Sequence, residues 1–264
     1  MLQVNNLTKI FNSGTDNESI LFKNLSLSIN DGDFITVIGS NGAGKSTLLN
    51  IISGGSALDS GNIVLNRKDI STLPEYKRTR FIGRVFQDPS SGVAPSMTVL
   101  ENLAMANNKN KTFTLSSAIK KKDRAVFREL LIHYSLGLED KLDVKVGMLS
   151  GGQRQALSLV MATLSNPELL LLDEHTAALD PSMSEKVMNI TSSIVTENNT
   201  TTLMVTHDLK QAISFGNRII MLHRGEIILD MSGADKKQLT IETLLEHFKK
   251  LSSSSLLSDR TLLS

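Results

Sequence analysis

Phe34-Ile35-Thr36-Val37-Ile38-Gly39-Ser40-Asn41-Gly42-Ala43-Gly44-Lys45-Ser46-Thr47 is the stretch that decides how this chain folds. Phe34–Ile38 is a short, β-rich apolar run that ends in a glycine, and Ser46–Ser53, beyond the glycine-rich turn, has helical composition. Strand, turn and helix in that order give Gly39–Ser46 the context that a phosphate-binding P-loop needs. Glycines let backbone N–H groups turn inward around phosphate oxygens, and the N-terminus of the following helix adds its partial positive charge. Lys45 is expected to reach the β- and γ-phosphates and the Ser46 hydroxyl to coordinate Mg²⁺. Gly39, Ser40, Asn41, Gly42, Ala43, Gly44 and Thr47 complete the expected nucleotide-binding set. Alone, the loop implies a nucleoside triphosphate and no particular reaction.

Upstream, Val4, Leu7 and Ile10 mark one strand region, and a second apolar run, Leu21–Ile29, follows the polar stretch Asn12–Ser19. This predicts an N-terminal β layer. Downstream, between about Asp88 and Asn166, the chain turns helical and charged, with Lys120–Leu131 its clearest amphipathic part. Two β runs, Leu169–Leu172 and Thr202–Val205, are then separated by a helical segment long enough for a parallel crossover. Ile219–Leu222 and Ile227–Leu229 flank a glycine-containing turn and read as a hairpin, while Ile241, Leu244, Leu245 and Phe248 have the spacing of an amphipathic helix. The expected fold is α/β, with a mostly parallel sheet, an antiparallel β layer at the N-terminus and an inserted α-helical subdomain. One domain is expected over 1–251, its helical subdomain about 88–166, with 252–264 a flexible tail.

A length of 264 residues suits one large α/β domain with an insertion. With 28 basic and 27 acidic residues the formal net charge is +1, which gives no electrostatic reason to expect nucleic acid as a partner. There is no cysteine, so disulfides and thiolate metal ligands are excluded. The N-terminus lacks the basic start and apolar stretch of a secretory signal. No apolar segment reaches the ~18 residues needed to cross a bilayer. Any membrane association is expected to come through a partner.

Leu169-Leu170-Leu171-Leu172-Asp173-Glu174 is an apolar strand that ends in two carboxylates, the Walker B arrangement. One carboxylate at a strand end can orient Mg²⁺ and its neighbour can polarise an attacking water. Asp173 is assigned to the metal and Glu174 to the water; isolated, the segment reads equally well as a buried strand followed by an acidic helix cap. The pentapeptide Leu149-Ser150-Gly151-Gly152-Gln153, directly before a helical stretch, supplies a second glycine-rich phosphate-binding surface in the same chain. With the P-loop and Walker B in this order, residues from about Leu2 to Leu229 strongly resemble the nucleotide-binding domain of ATP-binding-cassette (ABC) transporters.

The resemblance implies an ATPase that uses ATP and Mg²⁺ and whose signature, Leu149 to Gln153, closes over ATP held by a second copy of the chain. It implies that Phe11 stacks on adenine, that Gln87 is the Q-loop glutamine and a further Mg²⁺ contact, and that His207 contacts the γ-phosphate. Ala178, Leu179 and Asp180 match the D-loop at the dimer interface. Partners implied are transmembrane permease subunits and an extracytoplasmic solute-binding protein, with the chain on the cytoplasmic face of the membrane. A lone cassette is more typical of uptake than of export, and the form of Gly83–Pro89 and Asp173–Asp180 is similar to an importer subgroup for amino acids, aromatic ones among them. An exporter ATPase and a non-transport ABC ATPase are the alternatives. Two positions depart from the family pattern: His175 stands where proline is usual, and Ala177 where serine is common.

Overall fold

The computed structural model describes residues 1–109, 119 and 122–254, with side chains described up to Phe248. Part of the expected helical insertion, including Lys120, and residues 255–264 of the expected tail lie outside the described residues. The chain forms two compact units, one from residues 1–52, 56–71 and 205 onward, the other from 53–55 and 72–204. The first opens with β1 (Leu2–Phe11), β2 (Ser19–Ile29), β3 (Phe34–Gly39), α1 (Lys45–Ser53), β4 (Ser60–Leu65) and β5 (Lys68–Asp69). The second contains α2 (Glu75–Arg78), β6 (Ile82–Val85), α3 (Val99–Asn107), α4 (Asp123–His133), a 3-10 turn at Val146–Met148, α5 (Gly151–Thr163), β7 (Leu169–Asp173), α6 (Pro181–Asn198) and β8 (Thr201–Val205). The chain then returns to the first with α7 (Leu209–Ser214), β9 (Arg218–His223), β10 (Glu226–Ser232), α8 (Gly233–Lys237) and α9 (Ile241–Ser254).

In the first unit β2, β1, β4 and β5 form an antiparallel sheet in that order. Leu25, Leu27 and Ile29 of β2 are buried while Ser26 and Ser28 are exposed, the period-two pattern of a sheet with one wet face. The β1–β2 register shifts near Asn6 and Asn24, which take the left-handed backbone that asparagine tolerates better than most residues. Strand β3 is buried along its whole length and runs parallel to β9, which pairs antiparallel with β10. The expected late hairpin is therefore present. Ile38, Ile219, Met221 and Leu229 meet Leu244 and Phe248 of α9 in one apolar cluster, so the last helix closes this core with one face.

In the second unit β6 lies parallel to β7, with Ile82 opposite Leu169 and Val85 opposite Leu172. All five residues of β7 are buried. Helix α3 starts with a capping box of Thr98 and Glu101, and α5 with one of Ser150 and Gln153. The irregular loop before α3 is organised by a single buried amide, Asn102, whose residue is 0% exposed. Its Oδ1 accepts from the Ala94 N–H at 2.8 Å, and its Nδ2 donates to the carbonyls of Ala94 at 3.1 Å and Thr98 at 2.9 Å. Among the described residues, no helix is long and apolar enough to cross a membrane.

Because Asn102 satisfies both backbone groups of Ala94 in a dry site, Asn102→Ala is expected to lower stability by about 2–3 kcal/mol. Urea denaturation checks this, and an unchanged midpoint would show that the loop is held by other contacts.

Candidate functional site

The first unit carries the P-loop between β3 and α1. Lys45 is only 7% exposed, and its Nζ donates to the carbonyls of Gly39 at 2.8 Å and Ser40 at 3.1 Å, so the ammonium folds the loop around itself. Gly44 takes φ 103°, and a Cβ there would stand 2.7 Å from the Phe22 ring, which excludes any larger residue. Asn41, Gly42 and Ser46 remain exposed at the mouth of the loop. Phe11 ends β1 with 40% of its surface exposed, so its ring is not part of the core, and Lys9 Nζ lies 5.4 Å from the ring centre. The Thr206 N–H donates to Val37 O at 3.1 Å, which lays the segment carrying exposed His207 beside the strand that feeds the P-loop. Asp208 caps α7 by accepting from the N–H groups of Lys210 and Gln211.

The second unit carries the Walker B pair, Gln87, the signature and the D-loop. Asp173 ends β7 at 9% exposure. Arg84, on β6, brings Nη2 to 3.5 Å from Asp173 Oδ2, donates from Nη1 to Ser53 Oγ at 2.9 Å and lies 4.5 Å from the centre of the Phe86 ring. Arg84 is not foreseen from the sequence, since with Gly83 it interrupts the apolar run that would have marked β6. Gln87 is exposed just beyond β6, and the backbone before it is held by Gln155 of α5, whose Nε2 donates to Phe86 O at 3.1 Å.

Ser150 caps α5: its Oγ accepts from the Gln153 N–H, and Gln153 Oε1 accepts from the Ser150 N–H. Gly152 packs so closely on α6 that a Cβ there would stand 2.2 Å from Met183 Cγ. The N–H of that same Met183 donates to Oδ1 of Asp180, the cap of α6. Signature and D-loop thus meet through one residue, while Leu149 is buried, Gly151 and Leu179 half-buried and Ala178 exposed. A cleft of about 260 Å³ in this unit is lined by Phe86, Ser91, Gly92, Ala106, Lys109 and Met161. Burial there pushes the Lys109 ammonium below its ordinary pKa.

A strand-fed phosphate loop in one unit and a serine-capped, glycine-led helix in the other are the hallmarks of a P-loop ATPase cassette. The model of the family described as ABC transporter matches residues 22–177, and the chain belongs to that family. It is 53% identical over 249 residues to a tyrosine transport ATP-binding protein of Clostridioides difficile (strain R20291), covering 94% of this chain and 99% of that protein. It is 32% identical over 255 residues to a phosphonates import ATP-binding protein of Lactococcus lactis subsp. lactis (strain IL1403), covering 95% and 99%. A dimeric structure of a post-hydrolysis ATP-binding cassette bound to ADP and Pi superimposes with a TM-score of 0.73 at 30% identity, covering 88% of this chain and 98% of that one. The protein is accordingly an ATP-binding, ATP-hydrolysing subunit of an ABC transporter, with the α/β P-loop fold.

His175, the departure from the usual proline, is buried against α6. Its Nε2 lies 3.1 Å from Thr191 Oγ1, and that hydroxyl donates its one hydrogen to Val187 O at 2.8 Å. Nε2 must therefore be the donor in the first bond, which fixes the neutral tautomer. Burial pushes the His175 pKa down from 6.5 to about 4. Between those values the unfolded chain binds the extra proton and the folded one does not, so stability rises with pH there. The contribution of His175 is complete above about pH 7 and is lost as pH falls towards 4, a loss of about 3 kcal/mol. His175→Gln should flatten that part of the stability profile, as read from thermal melting across pH 4 to 7.5; a variant profile parallel to that of the wild type would contradict it.

Proposed function

We propose that this chain drives uptake of a small solute, an amino acid and in particular an aromatic one, through partner membrane subunits, as a homodimer closed by ATP. The observation that carries the proposal is the exposed, Ser150-capped start of α5 in a chain that also holds a complete P-loop. A second anion-binding helix start is explained by a second copy of the chain, whose ATP it would cover. The Clostridioides difficile relative, by its name, supports the choice of substrate. An extracytoplasmic solute-binding protein would deliver that solute, and the chain would sit at the cytoplasmic face through its partners. The permease is assigned to the surface of the Gln87 loop and residues 88–102, where the cleft beside Phe86, Ser91 and Gly92 offers a small, mixed-polarity groove for a partner helix.

Within each site Lys45 and the loop N–H groups would hold the β- and γ-phosphates, and Phe11 would stack on adenine. Ser46, Gln87 and Asp173 present only oxygen donors, the hard set that Mg²⁺ takes. Among the described residues no cluster of three or more His, Cys, Asp and Glu rivals them as a metal site. When bound, the ion would neutralise charge on the β- and γ-phosphates. Glu174 would orient and polarise the attacking water, His207 would contact the γ-phosphate, and Ala178, Leu179 and Asp180 would line the dimer interface. Closure is favoured because ATP binds the closed state better, and hydrolysis removes that preference.

Lys45→Ala is expected to weaken ATP binding by on the order of 10–100-fold, measured by calorimetry, since a charge-assisted phosphate contact is lost. Glu174→Gln is expected to bind ATP normally while turnover falls by at least about 100-fold. On size exclusion with MgATP that variant should run as a stable dimer, and with ADP as a monomer. Wild-type turnover by Glu174→Gln would remove Glu174 from the chemistry, and near-wild-type ATP affinity in Lys45→Ala would overturn the P-loop assignment.

A further inference from the structure

We propose that His175 and Thr191 form a positioning pair for Glu174, fixing the direction of its carboxylate; this rests on the assignment of Glu174 to the attacking water. Strand β7 stops at Asp173, and Glu174 immediately takes φ 45°, a left-handed backbone that residues with a Cβ adopt rarely and keep only where the surroundings impose it. The turn that follows is closed locally by the Ala177 N–H on Glu174 O at 3.0 Å and the Leu179 N–H on Thr176 O at 3.2 Å. Those two bonds shape the turn locally. The next side chain ties it to the body: His175 is 2% exposed and donates to Thr191, a residue 0% exposed in the middle of α6. Thr191 is itself locked by its bond to Val187 O, one turn earlier in the helix.

Glu174 is thereby gripped on both sides, by the end of a fully buried strand and by a buried imidazole anchored to an 18-residue helix. A proline at 175 would constrain the same turn through its ring, but it biases the preceding residue towards extended backbone. The histidine restrains the turn through a side-chain bond and leaves Glu174 in the left-handed region. Both members of the pair are buried, so it would act only through the carboxylate that it orients.

Thr191→Val keeps the shape and removes the hydroxyl. It is expected to lower kcat about tenfold with KM for ATP changed less than about twofold, whereas Thr191→Ser, which restores the hydroxyl, should return kcat to within about twofold of wild type. On the Glu174→Gln background, Thr191→Val should cause no further loss in single-turnover hydrolysis, since its effect passes through the missing carboxylate. If Thr191→Val fails to melt cooperatively, His175→Met and His175→Gln replace it, the first without a donor and expected to be slow, the second with an amide donor and expected to be rescued. A wild-type kcat in Thr191→Val, equal changes in kcat and KM, no rescue by serine, or additive loss on the Glu174→Gln background would each overturn the proposal. Full turnover by Glu174→Gln alone would instead remove the assignment on which it rests, so the two failures are told apart.

Discussion

A charge can be kept where water scarcely reaches only if protein dipoles take over its solvation, and the arrangement of the first unit follows from meeting that condition at Lys45. The carbonyls of Gly39 and Ser40 turn towards the ammonium. In a planar trans peptide the N–H points opposite to the C=O, so the N–H groups of Ser40 and Asn41 are directed away from Lys45, towards the mouth of the loop. The loop is thus preset for an anion before one arrives. That geometry demands a rigid lead-in, supplied by β3 with every residue buried, and a close fit beneath it, supplied by the contact of Gly44 with Phe22. The N-terminal β layer therefore shapes the P-loop as well as the core.

In the second unit the same atoms serve helix stability and the proposed chemistry without competing. Ser150 caps α5 by accepting a hydrogen bond at Oγ, which leaves its hydroxyl hydrogen available to an anion. Asp180 caps α6 with Oδ1, and its other oxygen takes no part in the cap. Met183 connects the two, since it touches Gly152 with its side chain and Asp180 with its N–H. Gln155, one turn into α5, holds the backbone that leads to Gln87. A shift of α5 on closure would therefore be felt at the D-loop and at the Gln87 loop together, through contacts of a few ångströms and not through a long chain of couplings.

The features legible in the sequence were those with a local pattern: the P-loop with its strand and helix, β7 with its two acids, the signature before α5, the hairpin and the closing helix. β4 and β6 were not foreseen, because Ser60-Gly61-Asn62 and Gly83-Arg84 break the apolar runs that mark a strand. Arg84, Asn102 and Gln155 escaped for a related reason. Each is a polar residue in a site with little or no access to water, and its burial depends on partners that only the folded backbone brings to it: Asp173 for Arg84, Phe86 for Gln155, and Ala94 and Thr98 for Asn102. His175 was visible as a departure from a pattern, but its partner Thr191 lies about three turns along α6 and carries no signal of its own.

Arg84, Gln155 and His175 have a common feature: they stand beside the proposed chemistry and fix its backbone or side chains. Arg84 offsets the charge of Asp173 and pins it to Ser53, Gln155 secures the approach to Gln87, and His175 holds the turn of Glu174. A carboxylate that must orient water is useful only if its own direction is settled beforehand, and a left-handed residue between two anchors has little freedom left to lose. The motif residues can be read locally because phosphate and metal chemistry prescribes their type and spacing. Their supports are prescribed only by the three-dimensional packing around them, so their type is free to vary, and a histidine can do here by a hydrogen bond what a proline ring does elsewhere by restricting the chain.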